Sequence, residues 1–103
     1  MRMVLIFLTC KNKKEAAAIA TALLEKKLVA CTKILSTDSK YLWKSRIEKA
    51  EEALLLLETY EEKFESIEKV VRKLHSYKTF VMFATPVVKT VGEVDKWLRS
   101  ELT

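Results

Sequence analysis

The chain holds 103 residues, 50% hydrophobic and 32% charged, which describes one domain with a real core over residues 1–103 and excludes disorder or a two-domain layout. A single Gly and a single Pro exclude Gly-rich phosphate loops, collagen-like repeats and Pro-rich linkers. The net charge of +5 comes from basic and acidic side chains that are interleaved, with no block of five like charges, so it describes a solvated surface and argues against a nucleic-acid footprint.

Met3–Thr9 is a continuous apolar run of strand length, suited to a central strand. Its Val4–Leu8 segment is too short for a membrane span or a secretory core, so no membrane association is expected and the expected compartment is the cytoplasm. Asn12 with Glu15 three residues on reads as a capping box. Ala16, Ala20, Leu23, Leu24 and Leu28 then fall on one helical face. Val29–Leu35 reads as a second strand. Lys40–Ile47 reads as one further extended stretch, with Tyr41, Trp43, Ser45 and Ile47 on one side. Ala53–Leu57 is another strand run. Thr59 and Glu62 repeat the capping pattern, ahead of a helix whose Tyr60, Phe64, Ile67, Val70, Val71 and Leu74 keep a period near 3.6. Thr79–Val88 is β-branched and aromatic, with Pro86 marking an edge or an exit. Thr90 and Glu93 are placed to cap a last helix carrying Val91, Val94, Trp97 and Leu98.

Two strand-helix-strand crossovers around a central hairpin predict an α+β fold. It is a ferredoxin-like β-α-β-β-α-β sandwich with an antiparallel sheet, helices on one face and an extra C-terminal helix.

Several stretches in order carry a more specific signal: Ala30-Cys31, Tyr41-Leu42-Trp43, Ile47-Glu48, Glu51–Leu57, Thr59, and His75-Ser76-Tyr77, then Trp97-Leu98. Together they resemble the CutA divalent-cation tolerance family across essentially the whole chain. The resemblance implies a ferredoxin-like subunit in a tight homotrimer, similar in architecture to PII signalling trimers. It further implies a non-enzymatic protein tied to tolerance of copper and other divalent metal ions, with a metal ion or small ligand held in clefts between subunits. Some members place a metal-linked Cys at the position of Leu8. The chain departs from the family pattern at Lys33, at Lys44 and Ser45 where a Gly is usual, at Glu58, at Ser76 and Phe80 where prolines are usual, and at Lys78 where an acidic or polar residue is usual.

Two cysteines and one histidine cannot build a closed zinc site within one subunit. Cys10 ends the first strand and Cys31 begins the second, roughly 20 Å apart in parallel strands, which excludes a disulfide between them. His75 and Cys10 come to the same end of the domain, and thiol plus imidazole suits copper or zinc. These two are the candidate metal ligands, with any further ligand expected from a neighbouring subunit. The plain alternative for His75 is a hydrogen-bonding residue at a helix C-terminus. Tyr41, Trp43, Glu58, Tyr77 and Lys78 are the candidate cleft or trimer-interface residues. Glu58 and Lys78 either pair, across Thr9 or across a subunit cleft, or are two independent surface substitutions. An RNA-binding module and a PII-like ligand sensor are the competing readings. The first needs aromatics on the two central strands, where this chain offers Phe7 and an aliphatic run.

Overall fold

The computed structural model describes residues 1–102. It contains, in order, β1 (Met3–Cys10), α1 (Lys13–Glu25), β2 (Cys31–Trp43), β3 (Arg46–Tyr60), α2 (Phe64–Leu74), β4 (Met82–Pro86) and α3 (Gly92–Leu102), with a 3-10 turn at Glu61–Lys63 leading into α2. The four strands form one antiparallel sheet in the order β2-β3-β1-β4. This is the predicted ferredoxin-like plan with its extra helix.

Alternation along β1 sets the layers. Val4, Ile6, Leu8 and Cys10 are buried, and directly across the ladder so are Thr59, Leu57, Leu55 and Ala53 of β3. On that face lie Ala16, Ile19, Ala20 and Leu23 of α1 with Ile67 and Val71 of α2. Small residues at positions 16 and 20 let α1 sit close to the strands. Helix α1 opens on half of the expected capping box: the Glu15 N–H donates to Asn12 Oδ1 over 2.9 Å, while the Glu15 carboxylate accepts the N–H of Lys11 and not that of Asn12. It closes on a Schellman turn in which Lys27 takes φ 57° and the Leu28 N–H returns to the Leu23 carbonyl over 3.0 Å. Leu24 consequently faces solvent, and Ile19 takes the core position.

Four expectations are corrected. Lys40–Ile47 is not one strand but the tip of a long hairpin, which turns at Lys44 (φ 50°) and Ser45 (φ 65°) and pairs Trp43 with Arg46. Ile47 therefore pairs with Leu42, on the opposite side from Tyr41 and Trp43. Thr59 caps nothing: it is buried inside β3, and its hydroxyl donates to the Leu28 carbonyl over 2.6 Å. Finally, β4 starts only at Met82, and residues 75–81 form an irregular segment along the end of β1, where the Thr9 N–H donates to the Val81 carbonyl.

Two features shape the outside. Beyond Cys10, which pairs with Ala53, residues 37–43 and 46–52 continue as a two-stranded arm, so the subunit measures 45 × 26 × 21 Å. On the sheet face away from α1 and α2, Leu5, Phe7, Leu35, Leu54, Leu56 and Phe83 lie at least partly open. Helix α3 covers only the far end of that face, packing Leu98 and Leu102 on Tyr60 beside Met3. No helix among the described residues is long and apolar enough to cross a membrane.

Candidate functional site

Three elements converge where β1 ends. Cys10 is the last residue of β1, Glu15 stands in the first turn of α1, and His75 is the C-cap of α2. One donor atom from each lies within 4.8 Å of the other two. Adjacent α1 and α2 bring the start of one helix beside the end of the other, which is how residues 60 positions apart meet.

The imidazole has no exposed side-chain surface. Its Nε2–H donates to the Thr9 carbonyl over 2.8 Å, while Nδ1 accepts the Tyr77 N–H over 3.0 Å. That pattern is the neutral ring with its proton on Nε2. Phe80 stacks on the ring at 5.1 Å, and Arg72 caps Phe80 from outside. Glu15 serves two segments at once: Oε1 accepts the Lys11 N–H and Oε2 accepts the Ser76 N–H, both over 2.9 Å, with His75 Nδ1 at 3.7 Å from Oε1. Burial alone would raise the Glu15 carboxyl, but the Ser76 hydroxyl and the two backbone donors outweigh it and hold the group below the usual glutamate range. Cys10 is pushed up to about 12, first by burial and then by the charges of Glu15 and Glu52, so its thiol keeps its proton at neutral pH.

Tyr77 joins this cluster to the arm. Its hydroxyl donates to Glu52 Oε2 over 2.8 Å, and burial together with that bond raises it to about 12. Tyr41 and Trp43 lie further out on the arm, both on its more exposed stretch. Lys78 is exposed in the 75–81 segment beside Tyr77. Glu58 stands apart. It lies opposite Leu5, five ladder positions from the Cys10 level, and its partner within the subunit is Lys33, whose ammonium also reaches Cys31 Sγ at 3.4 Å. The pairing of Glu58 with Lys78 therefore does not occur within the subunit. Cys10 and Cys31 are both free.

The sequence reading paired His75 with Cys10 but passed over Glu15, whose capping role accounts for it locally. Glu15 supplies from the same chain the third donor that was expected from a neighbour. Thiol, imidazole and carboxylate together fit a borderline ion such as zinc or copper and not the all-oxygen shells of magnesium or calcium.

Comparison with known proteins follows this geometry. The family described as CutA1 divalent ion tolerance protein matches residues 4–101. The divalent-cation tolerance protein CutA of Archaeoglobus fulgidus is 37% identical over 93 residues, covering 90% of this chain and 91% of that one. Its namesake in Thermotoga maritima is 35% identical over 100 residues, covering 97% and 99%. A solved structure of the Archaeoglobus fulgidus protein, described there as periplasmic, superposes with a TM-score of 0.96 at 34% identity, over 98% of this chain and 99% of that one.

Proposed function

The chain belongs to the CutA1 divalent ion tolerance family, and from that membership we propose that it works as a non-enzymatic homotrimer that takes up a divalent metal ion, copper foremost, at groups gathered near the subunit clefts. The observation that carries the assembly is the uncovered apolar surface. Leu42 and Ile47 are 75% and 74% exposed at the arm tip, and Phe83 is 52% exposed on the open sheet face. Leu42 and Ile47 lie on one side of the arm, and Tyr41 and Trp43 lie on the other, the side of Phe83; exposed apolar side chains of this kind are ones that neighbours cover, and aromatics concentrate at such contacts. Both outer strands, β2 and β4, also present free ladder edges to a neighbour.

The non-enzymatic reading rests on the cluster at the end of β1. A thiol held protonated is no nucleophile, and an imidazole with both nitrogens engaged is no free base. What the cluster offers is donor atoms. Light scattering tests the assembly and equilibrium dialysis tests the uptake. Three times the 11.9 kDa subunit mass is expected, with copper and zinc retained in preference to magnesium. A monomer at micromolar concentration overturns the assembly, and retention of no ion overturns the uptake.

A further inference from the structure

We propose that Cys10, Glu15 and His75 form a metal site of the zinc and copper class inside each subunit, and that the Ser76–Tyr77 backbone is the latch that closes it. The proposal rests on the metal-uptake reading above and goes beyond it by assigning the donors, the ion class and the moving part.

The imidazole is held as metal-bound histidines are held. A backbone carbonyl, that of Thr9, accepts Nε2–H, which fixes the tautomer and leaves Nδ1 unprotonated at 3.7 Å from Glu15 Oε1. The Nδ1 lone pair and the second oxygen of Glu15 are covered by consecutive N–H groups, Tyr77 on Nδ1 and Ser76 on Oε2. One dipeptide thus occupies two of the three donors, and displacing it frees both. The third donor, the Cys10 sulfur, has only a long contact of 4.0 Å to the Leu8 carbonyl. The negative charges of Glu15 and Glu52 both bear on that sulfur, so the surroundings favour a cation although the chain as a whole carries +5.

The ion class follows from the donors. One sulfur, one nitrogen and one carboxylate select zinc, cobalt or copper, whereas magnesium and calcium require about six or more oxygens. Three protein donors leave a fourth position for water or a transferred ligand. The latch is also mechanically connected. Tyr77 reaches Glu52 at the root of the arm, so displacing its backbone pulls on the segment that carries Tyr41 and Trp43.

Cobalt(II) is the probe, because a bound thiolate gives it a charge-transfer absorption. The whole chain is expected to show that band, to lose it to zinc, to keep it in Cys31→Ser and to lack it in Cys10→Ser. Glu15→Gln, near the surface at a helix start, is expected to weaken cobalt binding at least tenfold. X-ray absorption of the zinc-loaded unaltered chain needs no variant: one sulfur at about 2.3 Å among nitrogen and oxygen neighbours is expected. A band that survives Cys10→Ser and vanishes in Cys31→Ser overturns the site while leaving metal uptake standing. An all-nitrogen and oxygen shell around zinc does the same. Retention of neither cobalt nor zinc by the unaltered chain overturns the uptake itself, and the site with it.

Discussion

Thr59 is the one polar residue among the fully buried positions described, and its bond to the Leu28 carbonyl ties the loop after α1 to the middle of the sheet. Thr59→Val keeps the shape and removes the donor, leaving that carbonyl without it. A loss of about 1–3 kcal/mol is expected, read as a lower urea midpoint at unchanged slope. Tyr77 makes the matching prediction for the site. Its folded value near 12 lies above the ordinary 10, so the folded chain holds that proton where the unfolded chain has lost it. The resulting stability is intact below about pH 10 and is lost as the pH rises from about 10 to 12. Tyr77→Phe is expected to flatten that alkaline limb in thermal melts at stepped pH. At this scale the sequence was legible only where partners are close along the chain. Asn12 and Glu15 announce a cap because it closes over three residues. The bond from Ser76 to Glu15 spans 61 positions and leaves no local trace. Thr59 shows the reverse failure: correct cap spacing to Glu62, but a strand that runs on to Tyr60.

Elements tell a related story about glycine. The only one, Gly92, has no positive φ, while Lys27, Lys44 and Ser45 all adopt the left-handed conformation that glycine favours. The chain therefore hides its turns from a composition-based reading. Strand-forming residues run to Trp43 and resume at Arg46 with no Gly, Pro or Asn between them, which is why the hairpin reads as one stretch. Two successive left-handed residues define a type I′ turn, the geometry that matches the strand twist. Each such residue costs roughly 1–2 kcal/mol with a side chain, partly offset by the 0.5–1 kcal/mol that glycine loses in entropy on folding. Ser45→Gly is thus expected to stabilise the arm by about 0.5–1 kcal/mol, seen as slower hydrogen exchange at Trp43 and Arg46, the pair that closes the turn. Lys27→Gly should act similarly at the end of α1. The helices were easier to read because both pack one apolar stripe on the sheet. Even so, α2 starts without a side-chain cap, its entry being set instead by the 3-10 turn.

At the scale of the whole molecule, the chain is a sandwich from which a two-stranded arm projects. An isolated two-stranded ribbon is marginal in water, and here it carries Tyr41, Leu42, Trp43 and Ile47 in the open. The open sheet face continues the Tyr41 and Trp43 side of the arm inward, with Phe7 stacked on Phe83 at a ring distance of 5.1 Å, whereas Leu42 and Ile47 lie on the other side. If neighbours cover both regions, variants there should separate assembly from subunit folding. Trp43 is already 56% exposed in the subunit, so Trp43→Ala removes little from the single chain. Covered by a neighbour, the same truncation costs about 3–5 kcal/mol, or more than a hundredfold in dissociation constant. Phe83→Lys places a charge on the open face and should split the assembly outright, because an unpaired buried charge is not tolerated. Leu24→Lys, on the solvent side of α1, is the control and should leave the mass unchanged. Sedimentation equilibrium with circular dichroism reads both quantities. Folded monomers from Phe83→Lys and weakened trimers from Trp43→Ala are expected, whereas unaltered mass in both would remove the sheet face and the arm from the interface.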